Sequence, residues 1–320
     1  MRNLCELLNI KYPIIQGGMG NISSPTLASS VSNAGGLGTI GCGTLTPPEV
    51  EELIIETKKR TTMPFAVNIP INVNKYSKEI LQIVIQHNVP IVSLSAGNPA
   101  PFILKLHEAG IKVIVVVAAV KHAIKAEEAG ADVLVAEGFE AAGINSNLEL
   151  TTLTLIPQIS KAVKIPLVAA GGIANGNGLA AVLALGASGI QMGTRFIATQ
   201  EMTVHNSYKE RILHASDQET MILGRSVGQV RRVLRNPYAE KLSLAEKNGI
   251  TLEEYNSSTS EVFHVKGAIE GNEDEGFMNS GQIAGIINDL PTVQELIEKI
   301  MQELRECILK LSEHSIENVN

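Results

Sequence analysis

Eight short apolar runs are the feature that most constrains what this chain of 320 residues can fold into. They follow one another at intervals of roughly 20–35 residues, which leaves room for the crossover helix that parallel strands require. Their continuous apolarity, as in VIVVVAA, is typical of strands buried on both faces. The predicted strands cover residues 13–16, 38–40, 65–68, 91–95, 112–116, 132–136, 166–170 and 189–192.

The segments between these strands have the pattern of helices. Residues 48–59 and 122–129 place apolar side chains three and four positions apart. A last amphipathic helix is predicted over residues 293–311, beginning at a capping box formed by Thr292 and Glu295. Eight strand–helix units predict an α/β fold, the (β/α)8 or TIM barrel. A doubly wound open sheet is the alternative, because periodicity alone does not show whether a sheet closes.

The predicted barrel occupies two separate parts of the chain. Residues 1–198 hold the eight strand–helix units, and residues 280–311 return to the barrel through the last helix. Between them, residues 199–279 are polar and rich in turns, which predicts an inserted helical segment or lid after strand eight. Residues 312–320 are predicted to be a frayed tail.

Composition restricts the partners of the protein. The net charge of −7 argues against nucleic acid, which would require a basic face. The most apolar stretch, residues 113–120, is too short to span a bilayer. Three scattered cysteines indicate a reducing compartment, so we expect a cytoplasmic protein. The seven histidines lack metal-binding spacing, so no metal site is expected.

Glycine-rich loops follow several of the predicted strands. In a barrel the functional groups gather where the strands end. Gly171-Gly172 follows strand seven and Gly193-Thr194 follows strand eight. Exposed backbone N–H groups at these two strands are the usual phosphate site of a TIM barrel.

The remaining loops at the same rim favour a large planar cofactor. Strand one ends in QGGMG, and strand three ends at Asn68. Glu137 and Gln191 follow or end other strands and offer carboxylate and amide groups. FMN fits this combination of a phosphate site and a flat polar wall. The chain has no GxGxxG motif opening a Rossmann unit, so NAD(P)H would be a visiting co-substrate.

Eight motifs in sequence order resemble those of one enzyme family. The motifs are KYPIIQGGMG (11–20), SNAGGLGTIG (32–41), PFAVNI (64–69), AGNP (96–99), AEGFEAAG (136–143), LVAAGGIANGNG (167–178), IQMGTRF (190–196) and GQIAGII (281–287). Together they resemble the nitronate monooxygenases, formerly called 2-nitropropane dioxygenases, and the FMN-dependent enoyl-ACP reductases. The resemblance implies a TIM barrel with one non-covalent FMN. The flavin contacts it implies are Gly18, Met19, Asn68, Glu137, Gly171, Gly172, Gln191, Met192, Gly193, Thr194 and Gln282, with Ser280 nearby.

One loop departs from the family pattern. Other members carry a histidine after the small residues of the strand-six loop, whereas here Gly143 is followed by Ile144, and the loop is longer. The catalytic acid or base is therefore unassigned. His205 and His122 are the candidates, with His264 a further option, and Asn145 is a candidate for hydrogen bonding to substrate.

Three functions are consistent with these observations. The first is oxidation of alkyl nitronates with O2, which suits a loop without a base because a nitronate is already deprotonated. The second is NAD(P)H-dependent reduction of an enoyl thioester or a quinone on the same flavin. The third is a flavin-binding protein without turnover. The expected partners are a small-molecule or acyl-thioester substrate and, as an assembly, a homodimer.

Overall fold

The main sheet consists of eight parallel strands in the computed structural model, which describes residues 4–317. Each predicted strand is present, with bounds that differ by no more than two residues from the prediction. The strands are β1 (Ile14–Gln16), β2 (Gly38–Gly41), β3 (Phe65–Pro70), β4 (Ile91–Ser95), β5 (Lys112–Val117), β6 (Val133–Glu137), then, after the short strand β7 (Gly143–Ile144) of another sheet, β8 (Leu167–Ala170) and β9 (Gly189–Met192).

The sheet closes on itself between β1 and β2. Its strand order is β1-β9-β8-β6-β5-β4-β3-β2, and Ile15 forms a parallel bridge with Leu37 just before β2. The fully buried Gln16 side chain completes the closure. Its Nε2 donates to the Thr39 carbonyl at 2.8 Å, and its Oε1 accepts from the Thr39 N–H at 3.1 Å. The predicted TIM barrel is therefore confirmed, and the open-sheet alternative is wrong.

Helices surround the barrel and begin at recognisable caps. Pro47 starts the third helix behind a capping box in which Thr46 donates to Glu49, and Asn175 caps the eighth by accepting from the Gly178 N–H at 2.9 Å. The helices of this part are α1 (Leu4–Leu8), α2 (Pro25–Asn33), α3 (Pro47–Arg60), α4 (Ser77–Gln86), α5 (Ala100–Glu108), α6 (Val120–Glu128), α7 (Thr152–Ala162), α8 (Gly176–Ala184) and α9 (Thr194–Ile197).

The core has two layers, as a filled barrel requires. Residues such as Val67 and Val92 face outward and pack under the helices. Their neighbours Ala66 and Ile91 face into the barrel, where Leu4 of α1 packs against the same cluster. The alternation of the two faces along each strand explains why the runs are continuously apolar.

The segment after β9 contains a small sheet in addition to helices. Its elements are α10 (Asn206–Leu213), β10 (Thr220–Leu223), β11 (Arg231–Leu234), α11 (Pro237–Lys247), α12 (Leu252–Ser258) and α13 (Glu261–Ala268). β10 pairs antiparallel with β11, and β11 pairs antiparallel with β7 from the strand-six loop. The prediction of a helical segment was therefore incomplete, because it missed both strands and their attachment to the barrel.

The last helix, α14 (Val293–Glu317), begins at the predicted capping box. Thr292 donates to Glu295 through both its N–H and its hydroxyl, each at 2.8 Å. Glu303 on this helix accepts from the Gly176 N–H at 2.8 Å, which fixes α14 to the start of α8. The helix continues to Glu317, beyond the predicted end at 311. Residues 318–320 of the predicted tail lie outside the described residues.

No helix within residues 4–317 is both long enough and apolar enough to cross a membrane.

Candidate functional site

An open cavity of about 920 Å³ lies at the carboxyl ends of the barrel strands. The loops after β1, β6, β8 and β9 form its floor and walls, and residues of the inserted segment complete it. Ten of the eleven residues predicted to contact FMN line this cavity, namely Gly18, Met19, Asn68, Glu137, Gly171, Gly172, Gln191, Met192, Gly193 and Thr194. Gln282 does not line it. Its N–H donates to the Glu140 carbonyl at 2.9 Å, while Gly281 and Ile283 beside it do line the cavity.

The glycine loops after β8 and β9 bring backbone N–H groups to one part of the cavity. Gly171 and Gly172 have φ angles of 93° and 72°, the left-handed region that favours glycine. A Cβ on Gly171 would approach the Gly138 carbonyl oxygen to 2.9 Å. The Gly281 N–H donates to Thr194 Oγ1 at 2.9 Å, which orients that hydroxyl. This backbone geometry suits an anionic group such as phosphate.

The helix α8 contributes less to this anion site than the sequence indicated. It begins at Gly176, four residues beyond Gly172, and its Gly176 N–H is already bonded to Glu303. Only the short helix α9 starts directly at the glycine loop, at Thr194.

Polar side chains without protein partners face the rest of the cavity. Glu137 and Gln191 line it, and neither side chain makes a hydrogen bond within residues 4–317. Burial raises the pKa of the Glu137 carboxyl to about 7. Asn68 Nδ2 donates to Ser93 and Ser95 at 3.2 Å, and its Oδ1 lies close to Gly18. The unpaired polar groups of Glu137 and Gln191 fit a flat, polar ring system like that of a flavin.

The strand-six loop places no acid or base at the family position. Ile144 lines the cavity with 56% of its side chain exposed. Asn145 also lines it, but its Nδ2 is held by the carbonyls of Ala141 and Gly143 at 2.9 and 3.1 Å. The Glu140 carboxylate accepts from the Thr152 N–H and hydroxyl at the start of α7. The amide of Asn145 and the carboxylate of Glu140 therefore both have structural partners.

The candidate histidines lie in different surroundings. His122 lines the cavity but is mostly exposed, and its partial burial together with Lys121 and Lys125 lowers its pKa. His205 lies outside the cavity, where its Nδ1 accepts from the Ser207 N–H at 3.2 Å and caps α10. His264 lines the cavity and is buried.

A cluster from the inserted segment forms one wall of the cavity. His264 Nδ1 lies 3.4 Å from Glu261 Oε2, and His264 Nε2 has no hydrogen-bond partner in the described chain. Burial opposes ionisation of Glu261, yet His264, Arg231 and the Asn21 N–H outweigh it and lower the pKa of this carboxyl to about 2. Sequence reasoning missed Arg231 and Glu261 because neither follows a barrel strand, and no local spacing marks them.

Comparisons with known proteins agree with one another. The sequence profile described as nitronate monooxygenase matches residues 2–303. The chain is 34% identical to the "(3aS,4S,5R,7aS)-5-hydroxy-7a-methyl-1-oxo-octahydro-1H-indene-4-carboxyl-CoA dehydrogenase" of Rhodococcus jostii, over 94% of each chain. It is 32% identical to a probable nitronate monooxygenase of Staphylococcus saprophyticus, over 94% of this chain and 97% of that protein.

Solved structures of two enzymes resemble the chain over almost its whole length. FabK from Thermotoga maritima has a TM-score of 0.93 and 40% identity, covering 98% of this chain and 99% of that one. Nitroalkane oxidase from Streptomyces ansochromogenes has a TM-score of 0.82 and 26% identity, covering 96% and 99% of the two chains.

The barrel, its cavity and these relatives define the class of the protein, a flavin-dependent oxidoreductase built on a TIM barrel. Within that class, the chain belongs to the nitronate monooxygenase family, as the eight motifs predicted.

Proposed function

We propose that this protein binds FMN in the cavity and oxidises alkyl nitronates with O2. The observation that carries the proposal is Ile144, an exposed apolar side chain in the cavity where family relatives place a base. A nitronate arrives deprotonated, so its oxidation requires no proton removal by the protein.

The residues for FMN follow from the cavity wall. The N–H groups of Gly171, Gly172 and Gly193 would hold the phosphate, and Glu137 and Gln191 would hydrogen-bond the polar edges of the ring system. Bound FMN would supply the redox chemistry, the transfer of electrons from the substrate to O2. The chain itself would bind and orient the substrate, and Ile144 would offer it an apolar contact.

The test compares two substrates that differ by one proton. A positioned general base contributes roughly 10²–10⁴-fold in rate. This protein should lack that factor, so kcat/KM for ethyl nitronate should exceed that for neutral nitroethane by about that ratio, measured as O2 consumption. Comparable values would contradict the proposal and point to another base in the cavity, and replacing His264, then His122, would identify it.

A second candidate is NAD(P)H-dependent reduction of an acyl thioester. It is favoured by the 40% identity to FabK, an enoyl-ACP reductase, and by the CoA-ester substrate in the name of the Rhodococcus relative. Anaerobic mixing separates the two candidates. Rapid bleaching of the flavin by NADH or NADPH, with none by nitronate, would support the reductase and exclude our first proposal.

The remaining parts of the proposal concern the molecule as a whole. We infer that residues 199–279 act as a lid, because Tyr208, Arg231, Glu261 and His264 from this segment line the cavity. A homodimer and a cytoplasmic location stay predictions of the sequence. Light scattering of the purified protein tests the first, and fractionation of the source cells tests the second.

A further inference from the structure

Arg231 lies beside the position at which family relatives carry their histidine. It is the first residue of β11, and its register partner across the antiparallel ladder is Ile144 of β7. Directly opposite residues of an antiparallel pair project their side chains to the same face. Both side chains accordingly line the cavity.

The guanidinium of Arg231 is buried and makes no direct contact with a carboxylate of the described residues. The residue is 7% exposed. Its Nη1 donates to the neutral amide oxygen of Asn279 at 3.1 Å, and its guanidinium carbon lies 5.0 Å from the ring centroid of Phe277. Arg231 forms no ion pair within residues 4–317. Burial lowers the pKa of this guanidinium in spite of its attraction to Glu261 and Tyr255. A buried cation in this situation is stabilised by an anion.

The nearby carboxylates make no ion pair with Arg231 in the described chain, although the charge of Glu261 attracts it. Glu261 Oε2 lies 3.3 Å from the Asn21 N–H and 3.4 Å from His264 Nδ1. Glu140 caps α7 through Thr152. Lys125, another cation at the cavity, is exposed on α6. Of the described residues that line the cavity, Arg231 is therefore the buried cation with donors to spare.

We propose that Arg231 binds the anionic group of the substrate, a planar group with two oxygens such as a nitronate or a carboxylate. The guanidinium presents a planar fork of N–H donors that matches two oxygens of one group. The apolar part of the same substrate then contacts Ile144. This inference rests on the proposed function only in naming the nitronate, since a carboxylate has the same shape and charge.

The test measures anion binding to the purified yellow holoenzyme through the absorbance of its flavin. Propionate is the probe, and propionamide is its neutral counterpart. Arg231→Gln should weaken propionate binding about 10- to 100-fold and leave propionamide unchanged, because hydrogen bonds to charged groups contribute that much affinity. KM for ethyl nitronate should rise by a similar factor, with kcat changed far less.

Arg232→Gln is the matched control. Arg232 is the next residue of the same strand and is also buried, but its guanidinium donates to the Phe139 carbonyl at 2.9 and 3.2 Å and lies outside the cavity. Equal weakening in both variants, or unchanged propionate binding in Arg231→Gln, would overturn the inference. If Arg231→Gln does not fold, Arg231→Lys keeps the charge but loses the fork, and it should weaken propionate binding about tenfold.

Two further outcomes concern the identity of the anion and its link to nitronate oxidation. If Arg231→Gln loses affinity for NADPH but not for propionate, the anion is the phosphate of the co-substrate, and the inference is wrong. If nitronate is not oxidised by the unmodified protein but propionate binding still depends on Arg231, the proposed function fails while the inference stands. Nitronate turnover with an unchanged KM in Arg231→Gln would overturn the inference and leave the proposed function standing.

Discussion

Burial of the Glu137 carboxyl lowers the stability of the folded protein by an amount that depends on pH. Its pKa is raised to about 7 in the folded protein, so the folded state disfavours the ionised form. The cost is absent below the pKa of the unfolded chain, near 4.5, and grows as pH rises until it is complete above about 7. A carboxyl pKa raised from 4.5 to about 7 corresponds to at most about 3 kcal/mol.

Glu137→Gln should remove this cost. We expect the flavin-free variant to be more stable than the unmodified protein at pH 8, by up to about 3 kcal/mol, and equally stable at pH 4. Chemical denaturation at the two pH values measures the difference. A constant difference at both would show that the carboxyl is not buried as the structure has it. The variant should also retain FMN less well, because an acceptor is lost from the cavity wall.

Gly171 and Gly193 offer a contrast between two kinds of glycine. Gly171→Ala places a Cβ at positive φ and 2.9 Å from a carbonyl oxygen, so we expect a loss of about 1–2 kcal/mol in stability, together with loss of flavin. Gly193→Ala meets Met19 only at 3.7 Å and has an ordinary φ of −108°. It should leave the melting temperature of the flavin-free protein unchanged but raise the Kd for FMN. Normal FMN affinity in Gly193→Ala would refute the assigned phosphate loop.

The glycine loops and Arg231 differ in how far the sequence reveals their place in the site. The glycines of the loops after β8 and β9 are local signals, because each stands directly after a predicted strand. Arg231 gave no such signal. It reaches the cavity through a ladder to Ile144, 87 positions earlier in the chain, and nothing near Arg231 in the sequence indicates that pairing.

At the scale of elements, the Gln16 side chain adds two hydrogen bonds to the backbone bonds that join β1 to the start of β2. Gln16→Leu would leave the Thr39 N–H without its buried partner, while the Thr39 carbonyl would keep the hydrogen bond from the Ser23 hydroxyl at 3.0 Å. We expect a loss of about 1–3 kcal/mol in the free energy of unfolding. Thr39→Val is the matched control, because the Thr39 hydroxyl is already buried without a partner, and its removal should be neutral or slightly stabilising.

Thermal and urea denaturation of the two variants measures this prediction. A Gln16→Leu protein as stable as the unmodified one would mean that water or a shifted strand gives the Thr39 N–H another partner. A strongly destabilised Thr39→Val protein would mean that the hydroxyl has a role that its surroundings do not show.

Elements were predictable where their pattern is local. Eight barrel strands and the capping box of α14 follow from runs of a few residues. β7 was not predictable, because two residues carry no alternation. β10 and β11 are four residues each within a polar, turn-rich segment, which is too short a run to mark them. The part that the Gln16 side chain takes in closing the sheet is visible only in the fold.

At the scale of the whole molecule, FMN should stabilise the folded state by mass action. A ligand at 100 times its Kd adds about 2.7 kcal/mol. We expect FMN to raise the melting temperature of the flavin-free protein, and riboflavin at the same concentration to raise it less, because riboflavin lacks the phosphate for the loops after β8 and β9. Equal shifts from the two compounds, measured by differential scanning calorimetry, would argue against a phosphate site.

The ladder between β7 and β11 has a consequence for the way the protein is made. Synthesis proceeds from the amino terminus, so all eight barrel strands and both glycine loops exist once residue 194 has been added. The wall that carries Arg231, Glu261 and Asn279 emerges later, and at roughly 5–20 residues per second the last of it follows after roughly 4–17 s. During that interval the nascent chain carries the residues of its proposed phosphate site but not those of its substrate wall. We infer that the cofactor can enter before the mouth of the barrel is finished.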